Sequence, residues 1–427
     1  MSNIRFSIVI PTRERPETLD YTLRTCLAQQ HSNYEIIVCD NCSAPATQLV
    51  VERWASDKIK YIRSDRPLAM SDNWELAVSQ ATGEYVIVIG DDDGLLLHTL
   101  AELERLLAQI RSPRAIRWER AYYSWPNHPL LEEANLLHLP LEQASTLLSG
   151  RGTIRSAANF ELDYTMLPML YNSAIHADLI GALRRKTGRV FAAQSPDIYS
   201  GFAFAHLAGE YVSVGIPMSI NAGSASSNGV ANISLSGASP VAQEFRRLNT
   251  GGGLSWHATV PDVPSLSAAV GDAFQHAKDR LFLRDTHLSL NRKTLLANSL
   301  LTLQPRTEAE RQSYLQALRQ SVQDDAALQR WFDHAAQGFV LRTKTEARPR
   351  PRLGFDGTTL HIDASKFGVS DVYGVAELVE NLLGFSERTT PVLADRVTGR
   401  FGWRSALRVA RRLIKTARRR MRAAFIS

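Results

Sequence analysis

Short apolar runs alternate with segments whose apolar positions recur every three or four residues. Phe6–Ile10 is apolar and stops at Pro11-Thr12, which predicts a buried strand ending in a loop. Pro16-Glu17-Thr18 opens a helix with Leu19, Leu23 and Leu27 on one face. Tyr34–Cys39 and Ile59–Ile62 read as strands, with a helix over Thr47–Trp54 between them. Asp72 with Glu75 is close to a capping box and starts a helix reaching about Ala81. Tyr85–Ile89 is a β-branched run that predicts a fully buried strand. After Gly94, Leu96, Leu100, Leu103, Leu107 and Ile110 mark a helix.

The alternation continues more loosely. Ala115–Trp118 reads as a short strand, Met166–Tyr171 as an apolar return to the sheet, and Val212–Ile216 as the last strand. Ser195-Pro196-Asp197 starts a helix carrying Ile198, Phe202, Phe204 and Ala205. Past Pro240 helical spacings dominate: Ser265–Leu283, Leu288–Leu303, Glu308–Val322 and Ala326–Gly338. Arg342–Arg352 looks like a linker, and Leu353–Asp363 like a hairpin or loose strand. The fold class is therefore α/β: a mostly parallel sheet with helices on both faces, plus a mainly helical C-terminal region. The expected divisions are 1–235, 236–395 and 396–427.

In such sheets ligands bind beyond the carboxyl ends of the strands. Thr12, Asp40 and the triplet Asp91-Asp92-Asp93 all fall at such ends. Three adjacent carboxylates repel one another and are costly to bury without a cation. Mn²⁺ or Mg²⁺ would take carboxylate oxygens together with substrate phosphates. The competing reading is a solvated turn in which an aspartate caps the following helix. Small polar residues from Ser224 to Gly229 form a loop that could close over a diphosphate or simply lie on the surface.

Composition narrows the classes. Apolar residues make up 44% and charged residues 22% of 427, ordinary for a globular chain. No stretch reads as a secretory signal or membrane span. Cys26, Cys39 and Cys42 are few and odd in number, which favours a reducing, cytoplasmic compartment. Zinc needs four ligands, and Cys39 and Cys42 have no second pair. The net charge of +6 is concentrated: ten basic residues and no acid lie from Thr398 onward, leaving −4 on the first 397 residues. With Trp403, Leu407, Ala410, Ile414, Ala417, Met421 and Phe425 near one face, the tail reads as a basic amphipathic helix for an anionic membrane surface. A helix packed on the body and a nucleic-acid contact are the alternatives. No nucleic-acid motif or second basic patch supports the latter, so no nucleic-acid partner is expected.

The ordered set Ser7-Ile8-Val9-Ile10-Pro11-Thr12, Ile36-Ile37-Val38-Cys39-Asp40-Asn41 and Gly83-Glu84-Tyr85 leading to Asp91-Asp92-Asp93 resembles family 2 of the inverting, nucleotide-sugar-dependent glycosyltransferases. The resemblance covers about Phe6–Gly229. It implies a GT-A fold, a Rossmann-like sheet in which an Asp-x-Asp motif holds a divalent metal on a diphosphate. By that likeness Pro11, Thr12 and Arg13 line the nucleotide pocket, Asp40 receives the base, and Asp72 lies near base or ribose. Asp91 touches the ribose, Asp93 with Asp91 holds the metal, and Asp92 lies between them. Ser195-Pro196-Asp197 is similar to the segment bearing the family's catalytic base, which maps onto Asp197. Ser-Pro-Asp is also a good helix start in its own right.

The implied activity is transfer of a sugar from a nucleotide-diphosphate donor, UDP-linked, to a glycan or lipid-linked acceptor in envelope or exported glycan synthesis. The Gln-x-x-Arg-Trp motif of processive synthases does not follow Asp197, which favours single addition. The expected place is the cytoplasm, peripheral on the inner face of the cell membrane. The rivals are a non-catalytic interaction protein on the same fold and a nucleotidyltransferase. The latter is expected to carry a Gly-rich basic loop after its first strand, where this chain offers Arg13 and Arg15.

Overall fold

The computed structural model describes residues 4–110, 112–141, 144–229, 240–303, 305, 307–340 and 352–384. The first part alternates as the pattern predicts: β1 (Phe6–Thr12), α1 (Pro16–Leu27), β2 (Tyr34–Asp40), α2 (Pro45–Arg53), β3 (Ile59–Arg63), α3 (Met70–Ser79) and β4 (Tyr85–Val88). Strands β3-β2-β1-β4 lie side by side and all run parallel. Each residue of β1 is buried, because helices cover both faces of a parallel sheet. Pro11 sits in this central strand without a lost ladder bond. Pairing with β4 ends at Val9–Val88, so the missing N–H falls where no neighbour remains.

Beyond β4 the sheet changes direction. β5 (Gly94–Leu95), α4 (Thr99–Gln109), β6 (Ala115–Ser124), β7 (Leu136–Pro140) and β8 (Thr146–Ser149) follow in the chain. Next come α5 (Gly150–Ala158), β9 (Ser173–His176), α6 (Ala177–Thr187), α7 (Pro196–Ala208) and β10 (Glu210–Gly223). β9 bridges the two halves, antiparallel to both β4 and β6. β6 and β10 pair in parallel, and β10 also takes β5 and β8 antiparallel.

Four local expectations differ. Leu96, expected in the helix, lies outside it: its N–H is drawn to the Met218 carbonyl at 2.9 Å beside the strand Gly94–Leu95, and α4 starts only at Thr99. Met166–Tyr171 is a turn region, and the sheet is entered instead by Ser173–His176. β6 runs on to Ser124 through Glu119 and Arg120, charges that read as the end of a strand. α3 begins at Met70 with no side-chain cap, because Asp72 pairs with Arg189 and Glu75 accepts from the Val190 and Phe191 N–H groups.

The later helices are α8 (Pro240–Gly251), α9 (Leu266–Ala277), α10 (Arg292–Thr302), α11 (Glu308–Gln320) and α12 (Ala326–Ala335). Their own apolar centre gathers Val260, Leu295, Leu318 and Phe332, while α9 packs through Phe274 on Phe202 of α7. Residues 354–384, expected within the helical region, join the sheet instead. β11 (Gly354–Phe355) and β12 (Thr359–Asp363) form the expected hairpin, β12 pairs with β7, and α13 (Val372–Leu383) packs against α1. The linker expected at Arg342–Arg352 falls almost wholly outside the described residues, and the basic tail falls entirely outside them. Among the described residues no helix is long and apolar enough to cross a membrane.

Candidate active site

A cavity of about 840 Å³ opens at the carboxyl ends of β1 and β4, within the usual range for small-molecule sites. Pro11, Thr12, Arg13, Asp91 and Asp92 line one end, and Tyr122, Tyr164 and Asp197 also line it. The acid turn is pinned atom by atom. Asp91 Oδ2 accepts from Thr12 Oγ1 at 2.7 Å and from the Arg13 N–H at 3.3 Å, while Oδ1 accepts from Arg15 Nη1 at 2.7 Å. Asp92 Oδ2 accepts from the hydroxyls of Ser224 and Ser227. Asp93 Oδ1 accepts from the Ala222 N–H at 2.7 Å, and Oδ2 from the Gly90 N–H at 2.8 Å and the Tyr171 hydroxyl at 2.5 Å. Gly90 is required here: a Cβ would stand 2.9 Å from Asp93 Oδ2.

The charges follow from this packing. Burial raises the Asp91 carboxyl against the pull of Arg15. Asp93 is pushed up to about 7 by burial and by the neighbouring Asp92. Burial opposes the charge on Arg15, but Asp91 and Asp92 outweigh it and hold its proton more tightly. A guanidinium thus supplies part of the compensation that three buried acids need.

The two expected metal ligands stand differently: Asp91 lines the cavity and Asp93 does not. Both oxygens of Asp93 are occupied by protein donors. Asp92 does line it, and among the described residues its Oδ1 takes no hydrogen bond, with Arg15 Nη1 at 4.0 Å. One open carboxylate oxygen fits a divalent cation whose other ligands are diphosphate oxygens and water. No group of three or more metal-ligating side chains occurs among the described residues.

Other expected residues are placed differently. Asp40 is fully buried, accepts from the Tyr61 hydroxyl at 2.6 Å and the Ser43 N–H at 2.9 Å, and does not line the cavity. Its neighbour Asn41 does. Asp72 is held by Arg189 at 2.7 Å and also stands outside the lining. Arg13 lines the cavity and spans it to Glu244 of α8 at 3.0 Å. The loop from Ser224 is no free surface loop, since its hydroxyls hold Asp92 and the Ser226 carbonyl accepts from Arg15. Asp197 lies in the first turn of α7, started by Pro196, and burial raises its carboxyl. Tyr171 carried no signal as a site residue, because only the fold brings its hydroxyl to Asp93.

The family model "Glycosyl transferase family 2" matches residues 7–131, which hold β1, the acid turn and the cavity-lining residues from Pro11 to Ser124. Residues 7–131 of this chain are thus similar to family 2 glycosyltransferases. The amylovoran biosynthesis glycosyltransferase AmsB of Erwinia amylovora is 32% identical over 117 residues, 26% of this chain and 39% of that one. The abequosyltransferase RfbV of Salmonella typhimurium is 33% identical over 106 residues, 24% of this chain and 32% of that one. The matched segment thus spans less than two fifths of these relatives. Among solved structures, S. aureus TarS 1–349 in complex with UDP-GlcNAc aligns with 81% of this chain and 95% of its own, at 13% identity and a TM-score of 0.47. The α/β class expected of the GT-A resemblance is the one found, and in this family 2 domain the acid turn closes the central strands.

Proposed function

We propose that this protein transfers a sugar, with inversion, from a UDP-linked donor to a hydroxyl of a glycan or lipid-linked acceptor in polysaccharide synthesis. The observation that carries the reading is the shared cavity: the acid turn of the family 2 domain and the Asp197 carboxyl line one space. Pro11, Thr12 and Arg13 would flank the nucleotide, with Asn41 in the place expected of Asp40. Asp92 would hold Mn²⁺ or Mg²⁺, which neutralises charge developing on the departing diphosphate. Asp197 would take the proton from the acceptor hydroxyl, and burial, by raising its carboxyl, makes it a stronger base than an exposed aspartate. Attack from the side opposite the diphosphate inverts the anomeric centre. The basic tail would hold the enzyme on an anionic membrane face, which vesicle sedimentation with and without residues 400–427 would read.

The test is titration calorimetry with UDP, with and without Mn²⁺, followed by a transfer assay over a nucleotide-sugar panel. Metal-strengthened UDP binding and transfer from one donor are expected. A chain that binds no nucleotide under either condition is not a transferase of this kind.

A further inference from the structure

The cavity's own charges are poorly matched to a diphosphate. Among the described residues its lining carries five carboxyl groups against two arginines, Arg13 and Arg15, and no lysine or histidine. A diphosphate entering such a space adds negative charge where carboxyl groups are already in excess, which is costly away from bulk water. The two arginines are not equally free to meet it. Arg13 gives Nη1 to the Asn41 carbonyl at 2.7 Å and Nη2 to Glu244 at 3.0 Å, so both arms of its fork are tied. Arg15 stands at the acid turn, lines the cavity and has its side chain 15% exposed. Its Nη1 donates to Asp91 Oδ1 at 2.7 Å and its Nη2 to the Ser226 carbonyl. Among the described residues these bonds leave Nε and a second hydrogen on each Nη unused. The same Nη1 lies 4.0 Å from Asp92 Oδ1, the open oxygen of the turn.

A guanidinium that grips one carboxylate can still give its remaining N–H groups to phosphate oxygens, in the paired geometry that phosphate accepts. We propose that Arg15 binds the donor's diphosphate directly, as a resident cation beside Asp92, so that the phosphates are recognised even without a metal ion. This rests on the reading that the cavity takes a nucleotide diphosphate. Asp91 and the Ser226 carbonyl fix the plane of the guanidinium before any ligand enters. Asp91 and Asp92 hold its proton in place. Arg15 would stay with the diphosphate as it departs and meet part of the charge developing there.

Calorimetry on the full chain in EDTA reads this contact as a ratio. Uridine and UDP are titrated into the parent and each variant, and the ratio of their Kd values measures what the phosphates add. In the parent UDP should bind at least about tenfold tighter than uridine, the scale of charge-assisted hydrogen bonds. Arg15→Gln should bring the ratio close to one while uridine affinity holds. A role confined to bracing Asp91 would weaken both ligands alike and leave the ratio standing. Arg15→Lys should keep part of the ratio, since an ammonium supplies the charge without the fork. If Arg15→Gln does not fold, Arg15→Lys decides: a lowered ratio supports the contact, and one equal to the parent's overturns it. A parent ratio near one in EDTA, or a ratio that survives Arg15→Gln, also overturns the proposal. Failure of the parent to bind uridine or UDP, with or without Mn²⁺, would instead remove the nucleotide reading. Inorganic pyrophosphate on the same proteins would then test the arginine alone. Binding that Arg15→Gln abolishes supports the contact, while no binding, or binding that the substitution leaves unchanged, overturns it.

Discussion

The acid turn and the Asp197 carboxyl, which line one cavity, are built on different terms. At the acid turn, five of the six carboxylate oxygens of Asp91, Asp92 and Asp93 already accept hydrogen bonds from the protein. At the start of α7, burial holds the Asp197 carboxyl above its ordinary range, against hydrogen bonds from backbone N–H groups of its own turn. The first is organised before any ligand arrives, as electrostatic stabilisation of a leaving group would require. The second is a buried carboxyl with a raised affinity for a proton, as a general base would require.

Substitutions on each wall should break this contrast in order of size. Asp197→Asn should lower turnover by about 10²- to 10⁴-fold while UDP affinity changes little, read by steady-state kinetics beside calorimetry. Parent-like turnover would place the base elsewhere. In the parent, kcat/KM should fall as pH drops through the raised Asp197 pKa, because the base must be unprotonated. The acid limb should therefore lie above the ordinary carboxylate range, and a limb near pH 4 would contradict the burial of Asp197.

Asp92→Asn should remove most of the Mn²⁺-dependent gain in UDP affinity, on the order of tenfold or more, since one open oxygen carries the ion. Asp93→Ala tests the opposite assignment. It should cost about 2–3 kcal/mol in urea unfolding, because the Gly90 and Ala222 N–H groups lose their acceptor. It should leave the metal dependence of residual UDP binding in place. If instead Asp93→Ala folds stably and loses the metal effect, Asp93 is the ligand after all. The smallest change is expected from Ser227→Ala, about 1 kcal/mol in stability, because Ser224 still holds Asp92.

How much of this was legible depended on whether the signal was local. The parallel strands, their terminal loops and the start of α7 were readable because each is set by a run of adjacent residues. Strand β5 was not, since Gly94 and Leu95 run straight into the helical spacing that starts at Leu96 and are strand only through β10, more than 120 residues later. The acid turn could be found as a cluster, but the roles within it could not. Only the fold brings Tyr171, Ala222, Ser224 and Ser227 to its oxygens, and they decide that Asp92 rather than Asp93 faces the cavity.

The return of residues 354–384 to the sheet bears on when the site comes into being during synthesis. Val372 at the start of α13 lies behind the acid turn, where a Cβ on Gly94 would meet its Cβ at 3.4 Å. Glu380 Oε1 accepts from the His98 backbone N–H and lies 2.6 Å from its Nδ1, closing the helix that follows the turn. A ribosome that has released the family 2 segment has therefore not released the residues that back it. The nascent chain must carry the apolar undersides of α1 and β7 uncovered for more than 200 residues of further synthesis, a long-range closure of the slow kind. Fragments ending before Gly354 should accordingly collect as aggregates or on chaperones, although they contain every carboxylate at the site.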